Sequence, residues 1–260
     1  MFGGKLNYES RVFISGQELS GINTVDLSYS NNANIAKPLG YSRGIMTHSA
    51  DSQKTMSISR DYVFGSDSLL KYTGDLNLSG SIHYENSSYG FKTGYMTEYM
   101  VNIAVGSPPK VNANFVIFGE MKSGVTASGS ISHPAIFLPK QGSMTIQSDN
   151  SSSNRVVGFD YSVKMNRKPI YTIGSQLPVT IKLIPPLEYS AAVQIEVDDA
   201  FMENSQKFIG QKQDKIVSFS LPTGDGSISY AIPNASLVSE QLSASADGVL
   251  KLTLNYIGHS

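Results

Sequence analysis

The residues best suited to bind a metal or move a proton are His48, His83, His133 and His259. No two of them stand as His-x-His or His-x-x-x-His, the spacings that put two imidazoles on one face of a strand or helix. Each is expected in an ordinary surface or turn role. Asp198-Asp199, followed by Glu203, is the nearest thing to a paired acidic motif. It reads as the solvated start of a short helix, where carboxylates favour the positive end of the dipole, rather than as a cation site. The chain has no cysteine, so it has neither thiolate ligands nor a disulfide framework. Gly-x-Ser-x-Gly, Gly-x-x-x-x-Gly-Lys-Ser/Thr and Gly-x-Gly-x-x-Gly strings are all absent. The Ser-rich run 147–154 has no charge or aromatic pattern and reads as a loop. The expectation is therefore no catalytic residue, no metal ligand, no bound cofactor and no enzymatic activity.

One aromatic run, Tyr84, Tyr89, Phe91, Tyr95 and Tyr99, has the density of a stacking platform for single-stranded nucleic acid or sugar. Such platforms need basic neighbours, and only Lys92 is close. Burial in a sheet or at a subunit interface accounts for the run better. Twenty basic and 21 acidic residues leave a net charge of −1, which excludes the strong positive field of a nucleic-acid binder. Charged residues are 16% of the chain against about 25% in an average globular domain. Ser, Asn, Gly and Thr take their place, as suits many turns and a surface that meets other protein. The N-terminus lacks the apolar core of a signal peptide, and no apolar run is long enough to span a bilayer as a helix.

Period-two alternation is the main structural signal. It appears over 23–29 (Val25, Leu27, Tyr29), 55–62 (Met56, Ile58), 76–84 (Leu76, Leu78, Ile82) and 111–118 (Val111, Ala113, Phe115, Ile117). These read as half-buried antiparallel strands. Gly106-Ser107-Pro108-Pro109 separates 100–105 from 111–118 and predicts a hairpin. In the second half, 156–163, 179–184, 193–197, 215–221 and 248–256 are strand candidates. Short helices are expected over 67–72, capped by Ser66, and over 199–208.

Four segments of the first half recur in the same order in the second. Val25-Asp26-Leu27-Ser28 matches Phe159-Asp160-Tyr161-Ser162 at an offset of 134 residues. Lys37-Pro38-Leu39 matches Lys168-Pro169-Ile170 at 131. The segments 58–64 and 195–201 match at 137, and 115–119 and 254–258 at 139. Each match is weak; their colinearity predicts two tandem related units, 1–122 and 123–260, joined through the Ser/Gly-rich stretch 121–129.

Across 21–119 the order of features resembles the tail-tube proteins of bacteriophages. Those features are the strand Gly21-Ile22-Asn23-Thr24-Val25-Asp26-Leu27-Ser28-Tyr29-Ser30, then Lys37-Pro38-Leu39-Gly40, then Ser57-Ile58-Ser59-Arg60. The Ser68–Gly74 segment, Gly90–Tyr99 and the Val105–Pro109 hairpin follow. The resemblance implies an all-β chain of two tail-tube-like β-sandwich or barrel domains, each with a short flanking helix. It implies a virion structural protein, made in the host cytoplasm and carried in the tail. Its main partner would be itself: three copies closing a stacked, pseudo-sixfold ring through which DNA passes without specific binding or membrane contact. Other virion tail proteins would be its further partners. The strands 95–105 and 111–118 would line the lumen. Two other readings stay open: a distal tail, hub or connector ring, and a carbohydrate- or surface-binding β-sandwich module.

Overall fold

The computed structural model describes residues 10–30, 33–36, 45–48, 53–61, 67–84, 87–118, 120–124, 137–148, 151–173, 178–197, 215–223, 226–244 and 249–260. The chain is almost all β, with no α-helix among these residues. The first half contributes β1 (Arg11–Ile14), β2 (Gln17–Leu19), β3 (Ile22–Ser30), β4 (Ala33–Ala36), β5 (Ile45–His48) and β6 (Gln53–Asp61). It continues with β7 (Leu78–Tyr84), β8 (Ser87–Ala104), β9 (Lys110–Ile117) and β10 (Met121–Ser123). The second half contributes β11 (Thr145–Ser148), β12 (Ser151–Ser153), β13 (Val156–Lys164), β14 (Arg167–Ile170) and β15 (Thr180–Leu183). After these come β16 (Glu188–Glu196), β17 (Lys215–Thr223), β18 (Gly226–Ala244) and β19 (Leu250–His259).

Alternation explains most of these strands. In β9, Val111, Ala113, Phe115 and Ile117 are buried while the residues between them are not. The 18 residues of β8 do not keep one parity: Met96 is buried, and so are Tyr99, Val101 and Ile103. A β-bulge between Met96 and Glu98 inserts the extra residue that switches the buried face. Phe91 sets another constraint on β8. A Cβ on Gly80 would stand 2.6 Å from the Phe91 ring, and one on Gly94 would stand 2.7 Å from it, so the ring occupies space that only glycine leaves.

The expected helix over 67–72 is instead a single 3-10 turn, Leu70–Tyr72. Asp67 anchors it: the Leu69 amide donates to Asp67 Oδ1 at 3.0 Å, while Ser66, the expected cap, lies outside the described residues. That carboxylate is also committed to Arg60 and Tyr99, which fixes the chain one turn at a time and leaves no free helix start. The helix expected over 199–208, and the Lys37-Pro38-Leu39 segment, lie outside the described residues. The expected boundary at 122/123 falls inside β10, which pairs with β8.

Fifteen strands form one antiparallel sheet. In the first half the path runs β3–β6–β9–β8–β7–β1–β2. In the second it runs β13–β16–β19–β18–β17–β11–β12. These are the same order, strand for strand, and the separate hairpins β4–β5 and β14–β15 correspond too. Register agrees as well. Val12 faces Leu19 and Ile146 faces Ser153, both members displaced by 134 residues. Ile58 faces Val25 and Val193 faces Phe159, displaced by 135 and 134. Phe115 faces Met96 and Tyr256 faces Leu237, both displaced by 141. The bulges recur at matching places: Ile22/Thr24 with Val156/Gly158, Met96/Glu98 with Leu237/Ser239, and Leu78/Gly80 with Lys215/Val217.

The offsets of 137 and 139 read from the sequence for two of the four segments are therefore corrected to 135 for β6 with β16 and 141 for β9 with β19. A two-residue slip keeps every side chain on its own face, so apolar matching alone could not detect it.

One continuous core cluster joins the halves, from Val12 and Leu19 through Tyr99 and Phe115 to Phe159, Phe219 and Tyr256. One part of it is aromatic: Phe159 stacks on Phe219 with ring centres 3.7 Å apart, Tyr230 tilts against both, and Tyr161 tilts against Tyr230.

Candidate functional site: two open strand edges and a polar face

The halves are joined by strand pairing. Between Glu98 and Ala104, β8 pairs with β9 on one edge and with β13 on the other. The joint runs from Gly158 opposite Ala104 to Lys164 opposite Glu98. Its core side puts Tyr161 opposite Val101 and Phe159 opposite Ile103, all four side chains buried. On its other side, Asn102 donates to Asp160.

Arg167, just past the end of β13, pins this joint. Its Nε donates to the Met96 carbonyl at 2.8 Å, one terminal nitrogen to the Gly74 carbonyl at 2.5 Å, and the other to Asp75 Oδ1 at 2.9 Å. The guanidinium also lies 4.7 Å from the centre of the Tyr95 ring. The side chain is only 1% exposed.

The same geometry leaves two edges open. Among the described residues β3 pairs only with β6. On β18, β17 takes one edge as far as Ala235, and β19 takes the opposite edge from Ser236 to Ala244. Among the described residues the stretch 239–244 therefore has no strand on the β17 side, the side on which β13 lies along β8. Side chains exposed along these edges include Tyr29 at 54% and Leu242 at 49%. The bulge residue Val238, beside the β18 edge, is also exposed.

Between the two edges, β3, β6, β9, β8, β13, β16, β19 and β18 present one face that no element covers among the described residues. One row of opposed residues crosses it as Asp26, Ser57, Asn114, Glu98, Lys164, Glu188 and His259. Another runs Asp61, Lys110, Asn102, Asp160, Ala192, Asn255 and Ser239. Cross-strand hydrogen bonds knit the face: Ser28 to Thr55 at 2.7 Å, Ser162 to Ser190 at 2.7 Å and Asn114 to Glu98 at 2.9 Å. The last has a counterpart at the matching position of the second half, Asn255 to Ser239 at 2.8 Å. On this face the carboxylates Asp26, Asp61, Glu98, Asp160, Glu188 and Glu196 outnumber the lysines Lys110, Lys164 and Lys251. Such a face repels a polyanion slightly rather than gripping it.

The residues singled out from the sequence do not come together. His83 stands edge-on to Phe13 with ring centres 4.8 Å apart and shares a hydrogen bond with Ser81 at 3.0 Å. Its burial, and Arg11 beside it, lower its pKa. His259 ends β19, His48 ends β5, and His133 lies outside the described residues, as do Asp198, Asp199 and Glu203. Among the described residues no three His, Asp or Glu side chains gather as a metal site. The aromatic run divides: Phe91 and Tyr99 enter the core, Tyr95 packs against Phe118 and Arg167, and Tyr84 and Tyr89 are exposed separately.

A buried polar cluster had no sequence signal. Arg60 donates to Asp67 Oδ1 at 3.0 Å, and the Tyr99 hydroxyl donates to Asp67 Oδ2. All three are almost wholly buried, and their partners lie 7 and 32 residues away along the chain. Its chemistry is that of a pin beneath β8: one carboxylate accepts from a guanidinium, a phenol and a backbone amide.

Burial makes the core tyrosines an alkaline switch of stability. Tyr256 is pushed up to about 12 by burial and by Glu240, and burial raises Tyr161 and Tyr99 as well. An unfolded tyrosine loses its proton near pH 10. The folded chain thus holds these protons longer, its stability is complete below about pH 10, and it is lost as pH climbs from there toward 12. Thermal melts at rising pH are expected to show a steep fall in midpoint across that window. A midpoint that holds steady from pH 10 to 12 would contradict this.

No family model matches the chain, and no curated protein matches it.

Proposed function

We propose that this chain is a tandem duplication of one sheet-forming unit, and that it serves as a structural, ring-forming subunit of the phage tail-tube type. The observation that carries the reading is the β8–β13 joint. The two open edges are the partners of that joint displaced by the repeat offset: β3 corresponds to β13, and 239–244 of β18 correspond to 98–103 of β8. A second copy can therefore lay its β3 along the first copy's β18 as β13 lies along β8. The contact is heterologous, so it closes into a ring when the rotation per copy allows. Closure also removes edges that would otherwise invite aggregation.

Each copy supplies eight strands to the uncovered face. Three copies make a barrel of roughly 24 strands with pseudo-sixfold symmetry and the polar face turned toward its interior. A Ser-, Asn- and Thr-rich lumen with a slight carboxylate excess suits a conduit that DNA traverses without being held. The β8–β9 hairpin strands supply part of that wall, Glu98, Met100 and Asn102 from one and Asn112 and Asn114 from the other.

Sedimentation and negative-stain microscopy of the purified chain test the proposal together. The expected result is a trimeric ring with six similar lobes that stacks into tubes. Discrete rings without stacking would move the chain to a hub or connector position. A lone monomer at high concentration would overturn the ring reading.

A further inference from the structure

On its uncovered side, the joint within the chain is closed by Asn102 of β8 donating to Asp160 of β13. Two charges stand in line behind that bond. Lys110 of β9 lies opposite Asn102, and Asp61 of β6 lies opposite Lys110. Four adjacent strands thus carry an acid, a lysine, a hydrogen-bond donor and an aspartate. The repeat keeps this row. Displaced by 135, 141, 141 and 134 residues, the offsets of their strands, the four positions become Glu196, Lys251, Ser243 and Asp26. In a chain only 16% charged, the sign of all three charges and the donor between them are retained. The second row is divided, however. Glu196 faces Lys251 and Lys251 faces Ser243, whereas Asp26 stands on β3, at the other open edge. There its side chain is exposed, with no hydrogen bond or ion pair among the described residues.

We propose that Ser243 and Lys251 of one copy hold the Asp26 carboxylate of the next, so that the contact between copies completes the row that already crosses the joint within the chain. In the register of the edge pairing, Ser243 lies directly opposite Asp26, as Asn102 lies opposite Asp160. The Ser243 hydroxyl donates to the Lys251 carbonyl at 3.4 Å, a long bond that it can exchange for a charge-assisted one. Strands lie about 4.8 Å apart, so β19 and the incoming β3 are roughly 10 Å apart with β18 between them, a span that an extended lysine and an aspartate cover. The lock also favours unlike edges. A β3–β3 contact would bring two Asp26 carboxylates to one seam, with Ser57 rather than a cation on the strand behind each. The β18–β3 contact supplies donor and cation together, and it is the arrangement that propagates a ring.

This inference rests on the ring reading, and the test separates the two. Full-length wild type, Asp26→Ala, Lys251→Gln and Ser243→Asn are compared by sedimentation at low and high salt, alone and with each of the last two combined with Asp26→Ala. Thermal melts confirm that each variant is folded. Asp26→Ala is expected to weaken assembly about tenfold per contact. Lys251→Gln should weaken it about threefold at low salt, an effect that fades as salt rises. Ser243→Asn installs the donor that the joint within the chain uses and should tighten assembly about threefold. Once Asp26 is alanine, neither Lys251→Gln nor Ser243→Asn should change assembly further, because both act through that carboxylate. Assembly indifferent to Asp26→Ala, or effects of the other two that persist unchanged without Asp26, overturns the lock while leaving the ring reading standing. A wild type that never assembles overturns the ring reading, and the lock with it.

Discussion

Leu242→Asp is expected to leave the isolated chain folded and to abolish its assembly. Leu242 is 49% exposed on the open edge of β18, so the change removes little packing from the monomer. Exposed substitutions of this kind change stability by about 0.5 kcal/mol or less, which moves the melting midpoint by no more than about 2 °C in a chain of this size. Between copies the position is different. It corresponds to Val101, which is buried against Tyr161 in the joint within the chain, and its partner there would be Leu27. A carboxylate forced into that contact loses its hydration with no cation beside it, at a cost of about 3 kcal/mol or more per joint. The association constant should fall by about a hundredfold or more. Sedimentation of the variant beside wild type measures it, and ring formation at wild-type concentrations would count against the edge pairing.

Arg167→Ala should act on the other joint and therefore on the fold itself. The guanidinium satisfies two backbone carbonyls and Asp75 and covers the Tyr95 ring; the Arg167 side chain is 1% exposed, while Asp75 is open to solvent. Alanine strands the Met96 and Gly74 carbonyls and leaves a void at the junction of the two halves. Removing one member of a buried charge-assisted set costs about 3 kcal/mol, and the melting midpoint should drop by roughly 6–12 °C. Lysine cannot place three directed donors, so Arg167→Lys should recover less than half of the loss. A melt within about 2 °C of wild type would show that the joint stands without the pin. The corresponding residue of the first half is Ala33, so under the proposed edge pairing the contact between copies would lack an equivalent anchor.

What could be read from the sequence was whatever depended on period two. β6 and β9 alternate cleanly, with Met56, Ile58, Val111, Ala113, Phe115 and Ile117 buried as expected; in β13 a bulge buries Val156 beside Phe159, Tyr161 and Val163, and in β3 Val25 and Leu27 are half-buried while Tyr29 is exposed. β18 was not anticipated at all, although it is 19 residues long. Pro233 and Asn234 interrupt it with what looks like a turn, and Asn234 takes a positive φ of 47°. The structure absorbs both where β18 passes from β17 to β19, the position at which a strand tolerates proline. Past Ala235, Leu237 and Leu242 are five residues apart with a bulge between Leu237 and Ser239, so no period-two run marks the strand. The strands β1, β2, β4, β5, β11, β12 and β14 were too short to carry a pattern, whereas β15 falls within the expected 179–184. The Arg60–Asp67–Tyr99 cluster and the Arg167 pin depend on contacts across 32 and more than 70 residues, which no local spacing encodes. The candidate site itself was legible only as a repeat, because an open edge is a property of topology rather than of any residue.

The most direct test of the edge pairing uses the absence of cysteine. In a chain carrying Leu27→Cys and Leu242→Cys, the only two thiols lie on opposite edges of the molecule, and the pairing places them directly opposite each other between neighbouring copies. Under mild oxidation the account predicts efficient disulfides between copies, giving a covalent ladder that ends at a closed trimer. Shifting one thiol by a single residue, with Leu27→Cys and Gln241→Cys, turns it to the opposite face and should abolish the ladder. Chains that stay monomeric, or that cross-link equally well in both registers, would contradict the pairing of β18 with β3.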